Sequence, residues 1–310
     1  MKKVILFPGT DAIENENFRA EAQLLPGVLN RLRETEYIIL QTYGKSINLV
    51  DYMHQPNDLS AHGFKKLVLC SLATQVAIYD NYVKENGVPD CVMGLSLGDV
   101  PRSVVSGLVT FEEGVRILYL FTSMHKLVKP GMSVHIRLQD TFDRSQDILK
   151  LEEYGIYKSV IQNEKFGLLA GCIHDMQRWV KEIARPQLLE VKPMYPFPLH
   201  TPLMKPIENA LLPHIIEACD VNNKSIDVFS VVYSRFLHSK EETINDCLIN
   251  ISSVLDFPSA IRNLIKEYNE VQFVSIGPSN SLLKFLDHMD LPSSITMLDW
   301  FDECLNTTFI

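Results

Sequence analysis

The residues best suited to chemistry lie in the segment Gly94-Leu95-Ser96-Leu97-Gly98. Residues 90–95 are typical of a buried strand, and helical spacing begins at Leu97. A G-x-S-x-G segment between a strand and a helix is typical of a nucleophile elbow, whose sharp turn exposes the serine oxygen. The backbone amide of Leu97 would then face an oxyanion formed on an attacked carbonyl. The pattern predicts a serine nucleophile at Ser96; an ordinary glycine-rich strand–helix turn is the alternative.

A serine nucleophile needs a base, and the chain has nine histidines. His200 lies in the segment Phe197-Pro198-Leu199-His200-Thr201-Pro202-Leu203-Met204, where prolines on both sides restrict the backbone. A rigid loop can hold an imidazole at the fixed distance that base catalysis requires. The other histidines fall on predicted helices, strands or polar surface, where a structural role is favoured. A triad esterase using Asp143 or Asp175 is one alternative for the same pair.

The elements that must position this segment alternate between strands and helices. Residues 3–7 predict a strand that enters the Pro8-Gly9 turn, and residues 74–85 have helical spacing that stops at Asn86-Gly87. The further predictions are a helix over 111–128, a strand over 226–233, a helix over 258–267 and a strand over 271–276. Strand, tight turn and helix in this order predict an α/β fold with a parallel sheet.

The middle of the chain predicts a different unit. Residues 133–138 alternate like a strand, 144–154 are helical, and 157–170 fit two strands that turn at 163–165. A helix over 173–183 and a strand over 188–191 follow. The order βαββαβ is that of a ferredoxin-like α+β subdomain. We therefore predict a large hydrolase-like α/β domain (residues 1–130 and 194–310) interrupted by a ferredoxin-like subdomain (residues 131–193).

Composition excludes several classes of protein. The 310 residues include 29 Lys and Arg against 38 Asp and Glu, for a net charge of -9, and no basic tract offsets it, which argues against a nucleic-acid binder. No apolar stretch reaches the ~18 residues of a membrane span. Six scattered cysteines show neither a CxxC pair nor a zinc-type cluster, so neither a metal site nor a disulfide framework is expected. The apolar start is too short for a signal peptide, so we expect a cytoplasmic protein.

Six short segments, in the same order along the chain, match the motifs of a known enzyme family. They are Phe7-Pro8-Gly9, Thr74-Gln75, residues 94–99, Phe111-Glu112-Glu113, His200-Thr201-Pro202-Leu203-Met204 and Ser275-Ile276-Gly277-Pro278. Together they resemble the malonyl-CoA:acyl-carrier-protein transacylases and the acyltransferase domains of polyketide synthases. The resemblance runs nearly end to end, and it implies the same large hydrolase-like domain with a ferredoxin-like insert.

The resemblance also implies roles for individual residues. Ser96 would carry the acyl group, and His200 would take its proton. In the family a backbone carbonyl usually orients this histidine, and counting back from Pro278 puts that carbonyl near Tyr268 or Asn269. The oxyanion hole would combine the amide of Leu97 with one near Ile13, in the loop after Gly9. Thr10-Asp11-Ala12-Ile13 replaces the family's loop glutamines, but backbone amides do not need those side chains.

The family's acyl pocket would be formed here by Leu95, Phe121, Gln75 and Leu199. Malonyl-selective members carry an arginine at the position of Phe121, where it binds the free carboxylate of malonate as a bidentate pair. A desolvated carboxylate without a partner costs several kcal/mol, so the resemblance implies a substrate that carries no carboxylate. Another cation, Arg102 or Arg235, could supply the missing charge instead.

The resulting hypothesis is a discrete, trans-acting acyltransferase of polyketide or hybrid peptide assembly lines. Acyl groups would travel on the phosphopantetheine of an acyl carrier protein or on CoA, with no bound cofactor, and we expect a monomer. An editing hydrolase that clears acyl groups from carriers shares the same acyl-serine intermediate. A non-catalytic relative that only docks on a carrier is the third reading. The acidic carrier would meet a basic patch formed by Lys65, Lys66, Arg102, Lys126 and Lys129.

Overall fold

Two β-sheets divide the strands between them in the computed structural model, which describes residues 1–13, 15–55, 58, 60–184, 188–195, 197–219 and 225–308. The strands are β1 (Lys2–Phe7), β2 (Cys91–Gly94), β3 (Gly131–Leu138), β4 (Ile156–Ile161), β5 (Phe166–Cys172), β6 (Leu188–Tyr195), β7 (Asp227–Ser230), β8 (Arg235–Phe236), β9 (Leu255–Asp256), β10 (Val271–Ser275) and β11 (Ile295–Asp299).

The helices surround these sheets. They are α1 (Glu16–Ala22), α2 (Val28–Tyr43), α3 (Leu49–Tyr52), α4 (Ala61–Asn86), α5 (Asp99–Val105), α6 (Phe111–Ser123), α7 (Phe142–Leu149), α8 (Ile173–Trp179), α9 (Lys205–Ala218), α10 (Lys240–Ser252), α11 (Phe257–Tyr268), α12 (Ser281–Asp287) and α13 (Trp300–Thr308). Short 3₁₀ turns cover Thr10–Ile13, Ser96–Gly98, Met124–Leu127, Glu152–Tyr154 and Pro202–Met204, and a π turn covers Val180–Ala184. Among the described helices, none combines the length and the apolar content that crossing a bilayer requires.

The larger sheet has the strand order β11-β10-β1-β2-β7-β8, and all its pairs are parallel except β7 with β8. Val4, Ile5, Leu6 and Phe7 of β1 have no solvent exposure, because helices cover both faces of the sheet. The carboxyl ends of β1 and β2 lie side by side, with Phe7 opposite Gly94. The Pro8-Gly9 turn and the Ser96 turn therefore meet at one edge of the sheet.

The smaller sheet has the order β6-β3-β5-β4, and these four strands are antiparallel. Helices α7 and α8 pack on this sheet and form an apolar core with its strands. Trp179 is fully buried in that core and donates its indole N–H to the carbonyl of Leu149 at 2.8 Å. Strand β9, far away in sequence, adds to the edge of this sheet by pairing in parallel with β4. The α/β fold class with a parallel sheet and an α+β unit is confirmed.

Helix α4 is much longer than the sequence predicts. It begins at Ala61 rather than near Thr74, because the Ser60 side chain caps its first turn by accepting from the amide of Gly63 at 3.1 Å. Most of this helix is buried on every side, so its first half lacks the alternation of polar and apolar faces that marks a surface helix. The predicted helix over 111–128 is shorter: α6 ends at Ser123, and a 3₁₀ turn continues the chain.

Candidate active site

Ser96 lies in a sharp turn between β2 and α5. Its φ of 59° is in the left-handed region, which is unfavourable for a residue with a side chain and recurs at strained functional positions. A Cβ atom on Gly94 would overlap the backbone of Gly98, and one on Gly98 would overlap the carbonyl of Phe7. The two glycines therefore allow the close backbone approach that forces the turn and aims the Ser96 hydroxyl away from the sheet.

The structure brings the Ser96 hydroxyl and the His200 ring together, with 2.6 Å between Oγ and Nε2. On the other side of the ring, Nδ1 donates to the backbone carbonyl of Asn250 at 2.5 Å. A carbonyl can only accept, so Nδ1 carries the proton and Nε2 is free to accept from Ser96. Burial lowers the pKa of His200 from 6.5 to about 4, while the bond to Asn250 opposes that shift. The imidazole is therefore neutral at pH 7.

The smaller sheet and helix α10 together hold the loop that carries His200. From the smaller sheet, Ser133 and Ser159 donate their hydroxyls to the carbonyls of Phe197 and Leu199 at 2.7 and 2.8 Å. From the larger domain, the carbonyl of Ile251 accepts the His200 amide at 3.0 Å. His200 itself has a φ of 55°, so this residue and Ser96 are both held in the left-handed region.

The carbonyl that orients His200 is that of Asn250, and the prediction of Tyr268 or Asn269 was wrong. These two residues end α11 just before β10, at the amino ends of the parallel strands, whereas Ser96 follows the carboxyl end of β2. Asn250 lies near the end of α10, where the last carbonyls have no partner within the helix and can accept other donors. The sequence marks that helix end, but only the fold brings it to His200.

The loop after β1 approaches Ser96 at Gly9 and Thr10 rather than at Ile13. A Cβ atom on Gly9 would lie 3.5 Å from the Cβ of Ser96. Two cavities, one of about 100 Å³ and one of about 40 Å³, flank Ser96, and Thr10 lines both of them. Ile13 is fully buried in the core, and its carbonyl accepts from the Arg19 side chain at 2.9 Å. Ile13 therefore lies away from Ser96, and Thr10 is the residue of this loop that lines the space beside the nucleophile. Leu97 directly follows Ser96 and lines the larger cavity, and the role of its amide in an oxyanion hole stays a prediction.

Gln75 lies behind this loop and lines neither cavity, which corrects its expected place in the acyl pocket. Its side-chain NH₂ donates to the carbonyl of Pro8 at 3.2 Å and to the hydroxyl of Ser71 at 2.8 Å. Gln75 is fully buried on α4, so its contribution is to hold the Pro8-Gly9 turn in place.

A mostly apolar cavity of about 100 Å³ opens beside Ser96 and His200. Phe121 and Leu199 contribute to its wall, as the sequence predicts, together with residues of α4, α5, α9 and α10. None of the described residues that line it is a lysine or an arginine. Among these described lining residues, Asp99 is the one acidic residue, and burial raises the pKa of its carboxyl group.

Neither predicted substitute cation reaches this cavity. Arg102 is fully buried behind the wall, with Nη2 at 2.6 Å from a carboxylate oxygen of Asp246 and Nη1 at 3.3 Å from one of Asp99. Its burial also excludes Arg102 from the predicted surface patch for the carrier. Arg235 is half exposed and pairs with Glu242 at 2.8 Å. Both guanidinium groups are engaged elsewhere, so neither is available to a carboxylate beside Ser96.

A second, smaller cavity of about 40 Å³ lies on the other side of Ser96 and His200. Leu95 lines this cavity rather than the larger one, together with three polar side chains, Asp11, His135 and Gln162. Nε2 of His135 lies 3.0 Å from Oε1 of Gln162, and burial raises the pKa of Asp11. Sequence reasoning missed this polar group, because its members come from the loop after β1 and from the smaller sheet.

The remaining alternatives can be compared with the same geometry. Nδ1 of His200 is bonded to Asn250, so neither Asp143 nor Asp175 completes a triad; both lie on helices of the smaller domain. Within the described ranges, no three His, Cys, Asp or Glu side chains are grouped to hold a metal ion.

Several solved structures share this fold across the whole chain. A malonyl-transacylase bound to its type II polyketide synthase acyl-carrier protein has a TM-score of 0.82, with 18% identity and 99% of each chain covered. The malonyl CoA-acyl carrier protein transacylase of Coxiella burnetii also has a TM-score of 0.82, with 18% identity, over 99% of this chain and 96% of that one. A loading acyltransferase of the avermectin polyketide synthase has a TM-score of 0.76, with 18% identity, over 99% and 100%. The chain has the acyltransferase fold of these proteins.

Sequence comparison is less specific. No protein-family model matches the chain. Probable polyketide synthases 38 and 34 of Dictyostelium discoideum are each 22% identical over 274 residues, which cover 81% of this chain. The chain spans only 8% of the length of these two relatives.

Proposed function

We propose that this chain is a discrete, trans-acting acyltransferase that carries an uncharged acyl group on Ser96. The observation that carries the proposal is the 2.6 Å contact between Ser96 Oγ and the unprotonated Nε2 of His200, at the mouth of an apolar cavity. A protein could share this fold without placing a serine hydroxyl against a histidine nitrogen. A serine with an aligned base and an adjacent acyl-sized space suits nucleophilic catalysis.

In the first half-reaction, Ser96 Oγ attacks the carbonyl carbon of an acyl thioester while His200 Nε2 takes the hydroxyl proton. The negative charge that develops on the carbonyl oxygen would be stabilised by backbone amides, for which Leu97 and Thr10 are our candidates. The carbon–sulfur bond then breaks, and the proton on Nε2 passes to the leaving thiolate. The product is an ester of Ser96 with His200 neutral again. Attack by a second thiol, with its proton taken by Nε2, reverses these steps and completes the transfer.

The acyl group is uncharged because the described lining of the cavity offers a carboxylate no cation to pair with. Phe121 occupies its wall, its described lining contains no cation, and the carboxyl of Asp99 would disfavour a second acid nearby. A missing charge-assisted bidentate contact costs about 2–5 kcal/mol, so malonyl loading should be ~30-fold to several thousand-fold slower than loading of an uncharged acyl group.

The partner we propose is a phosphopantetheinylated acyl carrier protein of a polyketide or hybrid peptide assembly line. The complex of a malonyl-transacylase with its acyl-carrier protein supports this choice, since the two enzymes share a fold. CoA thioesters are the alternative donors. We further propose that the chain works as a cytoplasmic monomer without a bound cofactor, because phosphopantetheine arrives with the substrate.

An editing hydrolase is the second candidate, and the smaller cavity favours it. Asp11, His135 and Gln162 surround a space of about 40 Å³ next to Ser96, and a site that polar needs only ~10–15 Å³ for each water. A water held there could attack the acyl-serine in place of a carrier thiol. The rate of loss of the Ser96 adduct, measured with and without a holo carrier, separates transfer from hydrolysis.

The test of the proposal is acylation itself, measured as intact mass after incubation with acyl-pantetheine thioesters. Ser96→Ala should abolish the adduct, and His200→Ala should slow its formation by ~10²–10⁴-fold. Ser294→Ala is a matched control, because its exposed hydroxyl contacts the carbonyl of Asn269 at the opposite edge of the sheet. A normal adduct in Ser96→Ala would refute the assignment, and a wild-type protein that forms no adduct would favour the non-catalytic docking protein.

A competition between malonyl-CoA and uncharged acyl-CoA then tests substrate charge. The adduct on Ser96 should be almost entirely the uncharged acyl group, and Phe121→Arg should raise the malonyl share. Dominant malonyl labelling of the wild-type protein would contradict the charge argument without affecting the assignment of Ser96.

A further inference from the structure

The apolar cavity beside Ser96 is elongated, as the residues on α5 show. Leu97 in the 3₁₀ turn and Val100 and Ser103 on α5 line the cavity. They are spaced three residues apart, so they lie on one face of this segment. Ser103 on α5 is seven positions after Ser96 in the preceding 3₁₀ turn, which corresponds to a rise of about 10 Å. The residues that line the cavity on this side therefore extend about 10 Å from the nucleophile.

Helix α10 gives the same length from the base. Asn250, whose carbonyl accepts from His200, lines the cavity near the end of this helix, followed towards its start by Cys247 and Thr243. These residues again span about 10 Å along one helix face. Two independent helices thus run from the catalytic pair to the far end of the same space.

A third helix closes the cavity. The cavity is lined by Leu211 and Ile215 on α9 and by Cys219, which directly follows the helix. Helix α9 begins just after the His200 loop, so Ile215 and Cys219 lie towards the end remote from His200. All three side chains are buried, and they give this end an apolar surface.

The hydroxyls at the far end are turned into their own helices. Ser103 donates to the carbonyl of Asp99 at 2.7 Å, and Thr243 donates to the carbonyl of Ser239 at 3.0 Å. With these donors engaged, the end of the cavity presents carbon to its contents. A polar group at the end of an acyl chain would find little to replace its water.

We propose that this cavity binds a medium-length, unsubstituted acyl chain of about eight carbons. This inference rests on the proposed acylation of Ser96. Its length follows from the helices, since carbon–carbon bonds of ~1.5 Å advance an extended chain by about 1.3 Å each, and about 10 Å then holds eight.

The experiment measures the loading rate of Ser96 with acyl-pantetheines of increasing chain length, from acetyl to dodecanoyl, by intact mass. The rate at limiting substrate should rise about fourfold for each methylene until the cavity is filled, at roughly eight carbons, and fall for longer chains. Ile215→Phe should move the optimum to shorter chains, and Ile215→Ala should move it to longer ones.

The matched controls are Ile216→Phe and Ile216→Ala. Ile216 is the next residue on α9 and is 47% exposed, whereas Ile215 is 3% exposed. The two controls should leave the optimum unchanged. If Ile215→Phe does not fold, as judged by circular dichroism, Ile215→Ala and the wild-type profile decide the question.

The outcomes separate this inference from the proposed function. Efficient loading with an optimum at acetyl, or a profile indifferent to length, would overturn the medium-chain inference while leaving the acyltransferase intact. An equal shift of the optimum in the Ile215 and Ile216 variants would overturn the assignment of the cavity. No adduct with any thioester would overturn the proposed function itself.

Discussion

Acylation of Ser96 should remain fast down to about pH 5, because burial keeps the His200 imidazole neutral. Only the neutral ring can take the serine proton. With a pKa of 6.5, about 3% of the rings would be neutral at pH 5, whereas with a pKa of about 4 the neutral share is about 90%. The lowered pKa therefore predicts a rate at pH 5 that is ~30-fold higher than an ordinary histidine would allow.

The assay is a single-turnover measurement of the Ser96 adduct between pH 4 and pH 8, with an uncharged acyl-pantetheine as donor. The rate should change little from pH 8 to pH 5 and then fall with a midpoint near pH 4. Circular dichroism at each pH verifies that the protein is still folded. A midpoint close to pH 6.5 in folded protein would refute the reasoning, since it would mean that His200 is solvated as in a free peptide.

The lowered pKa of His200 also makes the free energy of unfolding depend on pH. Between pH 4 and pH 6.5, His200 binds fewer protons in the folded protein than in the unfolded chain, so the free energy of unfolding rises with pH over this range. The contribution of His200 to stability is therefore complete above pH 6.5. It is lost as the pH falls from 6.5 towards 4, by about 3 kcal/mol in total. His200→Gln should remove this part of the acid destabilisation, which urea unfolding at several pH values measures directly.

Two further perturbations test other parts of the molecule. Asp246→Ala should lower the free energy of unfolding by about 3–5 kcal/mol, because it removes the nearer of the two buried carboxylates that neutralise the Arg102 guanidinium. Removing an exposed ion-pair partner with Glu153→Ala should cost less than about 1 kcal/mol, and equal losses in urea unfolding would contradict this reasoning. Reversing the charges of the exposed Lys126 and Lys129 to Glu should slow transfer from an acidic carrier at low salt, and wild-type transfer should weaken steeply towards physiological salt. Lys84→Glu, at the opposite edge of the sheet, is the matched control, and a transfer rate indifferent to salt and to both reversals would refute carrier docking on this patch.

The features that the sequence predicts well are those encoded in contiguous residues. The Ser96 elbow needs only a strand, two close glycines and a helix, all within a few residues, so its geometry follows from local rules. The alternation of strands and helices likewise predicts both sheets. The rigid loop around His200 is local as well, which is why the base could be identified among nine histidines.

The features that the sequence does not predict depend on chain segments far apart. Asn250 supports His200 across fifty residues, and its contribution is a backbone carbonyl that any residue type could provide. Side-chain identity therefore carries no signal for it. The burial of Arg102 between Asp99 and Asp246 is similar, because a charged residue on a short helix predicts exposure until its partners are known. The prediction that Gln75 lines the acyl pocket was wrong for the same reason. The sequence predicts the helix that carries Gln75, but it does not show that this side chain contacts the Pro8-Gly9 turn.

The attachment of the His200 loop to the smaller sheet and to helix α10 would make acylation of Ser96 sensitive to the boundary between the two units. Ser133 and Ser159 belong to the smaller sheet, and Asn250 and Ile251 to the larger domain. The smaller sheet has an apolar cluster of its own and contributes Val160 and Leu168 to the larger cluster. Because few apolar side chains cross the boundary, we expect the two units to loosen from one another before either cluster opens. Such partial opening would displace the imidazole from Ser96 while most backbone hydrogen bonds persist. The proposed acylation of Ser96 would therefore report the docking of the two units at temperatures where the helix content still indicates a folded protein.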